Sequence, residues 1–185
     1  MTGYIDEDRA VSRLSEIVAL ECGVHPAAAR QIRIAAALHD IGKQRIAASI
    51  INKPGKLDAR EFEIMKTHTA LGASMLKSIQ GELGEKIRLT ALYHHENWDG
   101  SGYFGKYADE LPVYVPIVSI CDVAVALVSE RPYKSAWPPR EMIAYIQGKA
   151  GTQFNPALVR IFLSLIRHDN RVPAIFGNRG VGALA

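Results

Sequence analysis

Apolar residues along this chain return at intervals of three and four, the rhythm of helices that bury one face, and no run of useful length alternates as a half-buried strand would. Over residues 6–21, Val11, Leu14, Ile17, Val18 and Leu20 fall close to helical spacing, and Gly23 followed by Pro26 ends that helix. A second helix is predicted from Pro26, at its first turn, to Ile41, with Gly42 as its stop signal. Residues 46–51 are too short to assign, and Asn52-Lys53-Pro54-Gly55-Lys56 is a turn. Asp58 then offers an N-cap with Glu61 as its capping-box partner, and His68 precedes a helical run carrying Leu71, Met75, Leu76 and Ile79. Residues 82–96 carry Leu83, Ile87, Leu89, Ala91 and Leu92 and deliver His94 and His95 to the end of another helix.

The pattern stops at residues 97–105, a glycine-punctuated loop with three aromatics, Trp98, Tyr103 and Phe104. Residues 113–128 are apolar on nearly every side, which predicts a central helix. A break at residues 130–134 carries Arg131 and Lys134; helices are predicted near 140–149 and from Pro156 through Ile166, with a frayed tail from Gly177. The expectation is an all-α bundle of about six to eight helices, with one domain over residues 1–170 and a C-terminal tail over 171–185.

Composition narrows the class. A chain of 185 residues at 48% hydrophobic content can bury one substantial core. Its net charge of +3, from 22 Lys and Arg against 19 Asp and Glu, contains no basic block, so neither DNA or RNA binding nor membrane-surface binding is expected. Cys22 and Cys121 form no CxxC motif, which argues against a zinc ribbon or disulfide scaffold and for a reduced, cytoplasmic setting. No signal-like segment opens the chain, and the apolar run to Val128 is interrupted by Pro116 and Asp122, so no membrane insertion is expected.

Against this apolar background six polar groups stand out: His39, Asp40, His68, His94, His95 and Asp122. An ionised carboxylate in a buried helix is costly without a partner, and Asp122 is the only ionisable carboxylate between Val113 and Val128. Each histidine alone could be a satisfied core residue and each aspartate a cap or an arginine partner. Those explanations would have to hold six separate times, whereas one shared cluster of cations accounts for all of them.

The order His39-Asp40-Ile41-Gly42-Lys43, Lys53-Pro54-Gly55-Lys56-Leu57, Lys66-Thr67-His68, His94-His95-Glu96, Asp99-Gly100-Ser101-Gly102-Tyr103, Asp122 and Arg131-Pro132-Tyr133-Lys134 resembles the HD-GYP subgroup of the HD-domain phosphohydrolases over roughly residues 11–162. The resemblance implies an all-α bundle with a two- or three-metal site that hydrolyses cyclic di-GMP. It implies that His39, Asp40 and Asp122 hold one metal, and that a bridging Asp40 with His68, His94 and His95 holds a second. It places Lys43 at the substrate phosphate, gives Arg131 and Lys134 phosphate or guanine contacts, and makes Gly102 and Tyr103 part of the rim. It also implies contact with diguanylate cyclases of the GGDEF type through the loop containing Tyr103. Iron or manganese is the implied metal, while nitrogen and oxygen ligands without thiolate also suit zinc or nickel.

Several positions depart from the family pattern. Glu7 stands where competent members often carry a first-helix histidine, and Gly3 where some carry a third-metal carboxylate, which favours a binuclear site with Glu7 as a substitute ligand. Phe104 replaces the proline that closes the GYP motif, Val125 a second aspartate, Pro116 an arginine and Asn155 an aspartate. The expected reaction is attack on the phosphodiester by a metal-bridging hydroxide, with Asp40 as the central ligand and Lys43 stabilising phosphoryl charge or protonating the leaving ribose oxygen. Two rival readings follow from the departures: a binding or protein-interaction module with weak or lost turnover, and a hydrolase of another nucleotide or phosphate ester.

Overall fold

The computed structural model describes residues 2–130 and 135–176. In chain order the elements are α1 (Thr2–Glu21), α2 (Pro26–Ala37), a 3₁₀ turn (Ile41–Arg45), α3 (Ala48–Ile51), α4 (Ala59–Lys66), α5 (His68–Met75), α6 (Gly81–Tyr93), a second 3₁₀ turn (Ala108–Glu110), α7 (Tyr114–Val128), α8 (Pro139–Gly148), α9 (Pro156–His168) and α10 (Arg171–Ile175). Eight of these helices run to eight residues or more, and the described residues form no sheet, only an isolated bridge between Ala150 and Phe154. The all-α class and helix number agree with the sequence pattern.

The bundle is organised around α7. Eleven of its 15 residues are buried, as the nearly continuous apolar run requires. It packs against α1, α2, α6 and α8, and Leu14, Ile117, Ile120, Met142, Ile146 and Phe162 make the fully buried centre. Pro116 lies in the first turn of α7, where its missing N–H takes nothing from the helix. Cys121 is buried in this core, where burial pushes its thiol far above the ordinary range, and Cys22 is a second free thiol. A smaller cluster of Ala35, Leu76, Ile87 and Ala91 ties α2 to the end of α5 and to α6. Packing continues through α10, where Val172 and Phe176 reach the core. Among the described residues no helix is long and apolar enough to cross a membrane.

Caps follow the sequence closely. Asp58 and Glu61 close a reciprocal capping box at 2.8 and 2.9 Å, opening α4. Asn155, at a position where the family has aspartate, caps α9 by accepting from the amides of Ala157 and Leu158. The amide oxygen does the same work as a carboxylate there.

Helix ends differ from expectation by a few residues, as where α6 stops at Tyr93 rather than residue 96, and the difference bears most on the site after α2. The second helix stops at Ala37 rather than Ile41, so His39 and Asp40 lie beyond its end instead of on its last turn. The amides of Leu38, His39, Ile41, Lys43 and Ile46 all donate to the carbonyl three residues back, the tighter 3₁₀ pattern. Gly42 is therefore not a stop signal but a close approach: a Cβ there would lie 1.9 Å from the carbonyl oxygen of His68 and 2.5 Å from the amide of Gly72. The 3₁₀ turn sits directly against the backbone of α5 because residue 42 has no side chain.

Candidate metal centre

Five separate segments deliver the candidate ligands. The turn after α2 brings His39 and Asp40, the first residue of α5 brings His68, the end of α6 brings His94 and His95, and the buried face of α7 brings Asp122. The fifth is α1, which contributes Asp8. One ligand atom from each of Asp40, His68, His94 and His95 lies within 4.8 Å of the others; the same holds for His39, His94 and Asp122, and for Asp8, His39 and Asp40. The six residues picked from the sequence converge on one place. The grouping differs in detail, because His94 also joins the His39–Asp122 side.

The tautomers explain why these residues face one another. Nδ1 of His39 lies 2.7 Å from the Ala36 carbonyl, Nδ1 of His68 lies 2.6 Å from that of Met65, and Nδ1 of His94 lies 3.1 Å from those of Thr90 and Ala91. A carbonyl only accepts, so each Nδ1 carries a proton, and whenever the ring is neutral its Nε2 lone pair faces inward. Those Nε2 atoms meet other acceptors. His68 and His94 approach each other at 3.3 Å, and they lie 3.2 and 3.6 Å from Oδ1 of Asp40. Nε2 of His39 lies 3.4 Å from Asp40 and 3.5 Å from Asp122. Nε2 of His39 and Oδ1 of Asp40 are buried without a hydrogen-bond partner among the described residues. Inward ring nitrogens and carboxylate oxygens gathered at this range, two of them buried and unpartnered, form a donor set that fits a divalent metal.

Ionisation follows the same field. Burial disfavours the imidazolium of His39, but Asp40 and Asp122 outweigh it and hold its pKa well above the ordinary value. Burial alone would raise Asp40, yet His39 and Lys43 keep it well below the usual carboxylate range. Asp122 is likewise held low by His39 against its own burial. Burial, reinforced by neighbouring histidines, pushes His95 well below the usual imidazole range, and burial also lowers His94. Both are thus poised as neutral ligands. Lys43 pairs directly with Oδ2 of Asp40, so a cation already stands beside the cluster.

Asp8 and Glu96 are the residues that sequence reasoning missed. The substitute ligand expected from the first helix was Glu7, but among the described residues it is Asp8 that enters a metal-holding group. Burial pushes the Asp8 carboxyl up to about 6, with His39 opposing and Asp40 reinforcing the shift. Asp8 and Glu7 lie three and four positions before the buried Val11, so both fall near its face and helical spacing does not choose between them. Glu96 follows the two histidines in the sequence with no role that its position announces. It is 4% exposed, and its two oxygens accept from the amides of Phe104 and Lys106, each at 2.7 Å.

That carboxylate sets the loop over residues 97–107. Gly102 presses on the same segment, since a Cβ there would fall 2.4 Å from Cα of Glu96. Further out, the amides of Trp98 and Asp99 donate to the carbonyls of Gln153 and Thr152 at 3.0 Å each. Tyr103 is thereby laid over His95, with ring centroids 4.7 Å apart. Burial pushes its phenol up to about 12, with Lys43 opposing and Asp40, Asp122 and Glu63 adding to the rise. Phe104 is 48% exposed and meets Tyr93 edge-on at 5.8 Å. Val125 is in the core, so α7 offers Asp122 alone to this cluster. Arg131 and Lys134 lie outside the described residues.

Comparison with known proteins gives this arrangement its family. The HD-domain family model matches residues 2–158. The chain is 42% identical over 159 residues to a cyclic di-GMP phosphodiesterase of Thermotoga maritima, covering 84% of this chain and 42% of that protein. It is 38% identical over 142 residues to 3'3'-cGAMP-specific phosphodiesterase 2 of Vibrio cholerae, covering 76% of this chain and 27% of that protein. In fold it is similar to an HDG"Y"P protein from Bdellovibrio bacteriovorus, with a TM-score of 0.72 at 16% identity over 88% of this chain and 52% of the other. The chain belongs to the HD-domain family and is related to the HD-GYP cyclic di-GMP phosphodiesterases. It spans less than half the length of these curated relatives.

Proposed function

We propose that this chain is a metal-dependent phosphodiesterase module that opens a cyclic dinucleotide, with cyclic di-GMP as its substrate. The observation that carries the reading is the convergence of inward Nε2 atoms and carboxylate oxygens from separate segments at 3.2 to 3.6 Å. Relatives named as phosphodiesterases of cyclic di-GMP and of 3'3'-cGAMP support the substrate class.

His39, Asp40, His68, His94, His95 and Asp122 would hold two divalent ions, iron or manganese, with Asp40 grouped both with His68, His94 and His95 and with Asp8 and His39. Such ions, when bound, supply an activated water and Lewis-acid stabilisation of a phosphodiester. The protein's own part is electrostatic and positional. Lys43 holds a proton on Nζ beside Asp40, where it can donate to a phosphoryl oxygen or to the leaving ribose oxygen. Gly102 lets the loop lie on the end of α6, and Tyr103 covers His95, which limits water on that side. Arg131 and Lys134 are assigned phosphate or guanine contacts on the family pattern alone.

The test is incubation of the purified chain with cyclic di-GMP and manganese or reduced iron, followed by chromatography. Linear dinucleotide or mononucleotide is the expected product. Tight binding without product would favour the binding-module reading, for which the burial of Val125 in place of a second α7 carboxylate is the specific argument. Absence of both binding and product would overturn the assignment to cyclic dinucleotides.

A further inference from the structure

Beyond Tyr103 the site has an outer wall that none of the metal chemistry uses. Phe62 and Lys66 lie one helical turn apart at the end of α4, and Glu63 lies three residues before Lys66. The Phe62 ring meets Tyr103 edge-on at 6.1 Å, and Tyr103 in turn covers His95. Nζ of Lys66 lies 5.6 Å from the centre of the Phe62 ring and 5.7 Å from that of Tyr103. The same Nζ pairs with Glu63 at 2.7 Å.

This arrangement is poorly explained by stability. Phe62 leaves 45% of its surface in water, although its helix belongs to a bundle with a well-filled core. The Glu63 side chain is 68% exposed, and an ion pair so open to solvent adds little to folding and is easily rearranged. Two aromatic rings and a partly exposed donor–acceptor pair, placed one and two rings outside the candidate ligand His95, suit a nucleobase. Bases stack on exposed aromatic side chains and are read along their Watson–Crick edges.

We infer that Phe62, Tyr103 and the Lys66–Glu63 pair form a base-reading wall that selects guanine over adenine in the cyclic dinucleotide. This deepens the proposed function and rests on it for the placement of the phosphate. The order of polar atoms supplies the selectivity. Guanine presents an acceptor, O6, beside donors on N1 and N2, so the Lys66 ammonium can donate to O6 while Glu63 accepts from N1–H and N2–H. Adenine reverses both, with an amino donor facing the ammonium and a bare N1 facing the carboxylate. A mismatch of this kind leaves polar groups unpaired, which discriminates more strongly than a change of shape.

The experiment is calorimetric binding of cyclic di-GMP, 3'3'-cGAMP and cyclic di-AMP to the manganese-loaded chain, with product analysis of the same samples. Wild type should bind in that order of decreasing affinity. Phe62→Ala should weaken binding of all three by roughly 5- to 150-fold, the range of one lost stacking partner. Lys66→Ala and Glu63→Ala should collapse the guanine-to-adenine ratio towards one while manganese content stays at the wild-type level. Equal wild-type affinities, or a ratio that survives both substitutions, would overturn the wall while leaving hydrolysis intact. A preference erased by the substitutions, in a chain that yields no product, would uphold the wall and remove the proposed reaction. Failure to bind any of the three would remove both.

Discussion

At the level of single residues the site depends on which atom each side chain turns inward. The carbonyls of Ala36, Met65, Thr90 and Ala91 fix three imidazole tautomers, so the backbone of the preceding turn, and not another side chain, orients the ligands. Sequence composition could not show this, although it could show that six polar groups had no business in apolar helices unless something united them. The same limit explains Asp8. A carboxylate on the amphipathic α1 looks like any solvated residue until the helix is docked, and its neighbours His39 and Asp40 come from another element. Asp8→Asn should lower manganese affinity by about tenfold or more, the scale seen when groups around a metal site are altered. Glu7→Gln should have the smaller effect; metal titration followed by elemental analysis compares the two.

At the level of elements, regular helices were readable and their junctions were not. The capping box at Asp58, the proline at the start of α2 and the apolar run of α7 are local signals, and each lies where the pattern put it. The end of α2 is not local. Gly42 must press against His68 and Gly72 from a segment 26 residues away or more, and that contact favours a 3₁₀ turn over another turn of α-helix. Gly42→Ala should therefore destabilise by about 3 kcal/mol in urea denaturation, because the atoms in its way are backbone. The loop after α6 offers a second test. Replacing Phe104 by proline, which restores the family letter, removes the amide that donates to Glu96 and should cost about 1–3 kcal/mol. The same denaturation series measures it.

For the whole molecule, the site gathers α1, the turn after α2, α5, α6 and α7, segments spread from Asp8 to Asp122. Ions bound there would tie together helices that otherwise meet through the apolar core. A ligand that binds only the folded chain stabilises it by mass action, by about 2.7 kcal/mol at a concentration one hundred times its dissociation constant. Manganese should accordingly raise the melting temperature of wild type, and Asp40→Ala should abolish both that rise and metal retention. A mutant that kept metal and its thermal shift would remove Asp40 from the centre. The bundle architecture itself was legible because helical periodicity is written residue by residue, while the convergence of five segments is a property of the packed state alone.

Glu96 grips its loop through backbone amides, and one of those amides belongs to Phe104. A proline there would stiffen the chain by its ring but could offer no hydrogen to the carboxylate. Two members of one lineage can thus hold the same loop by unlike devices, one by restricting a torsion and the other by tethering it. Sorting such proteins into working and broken by a single letter of the motif would discard chains whose architecture has merely changed its fastener.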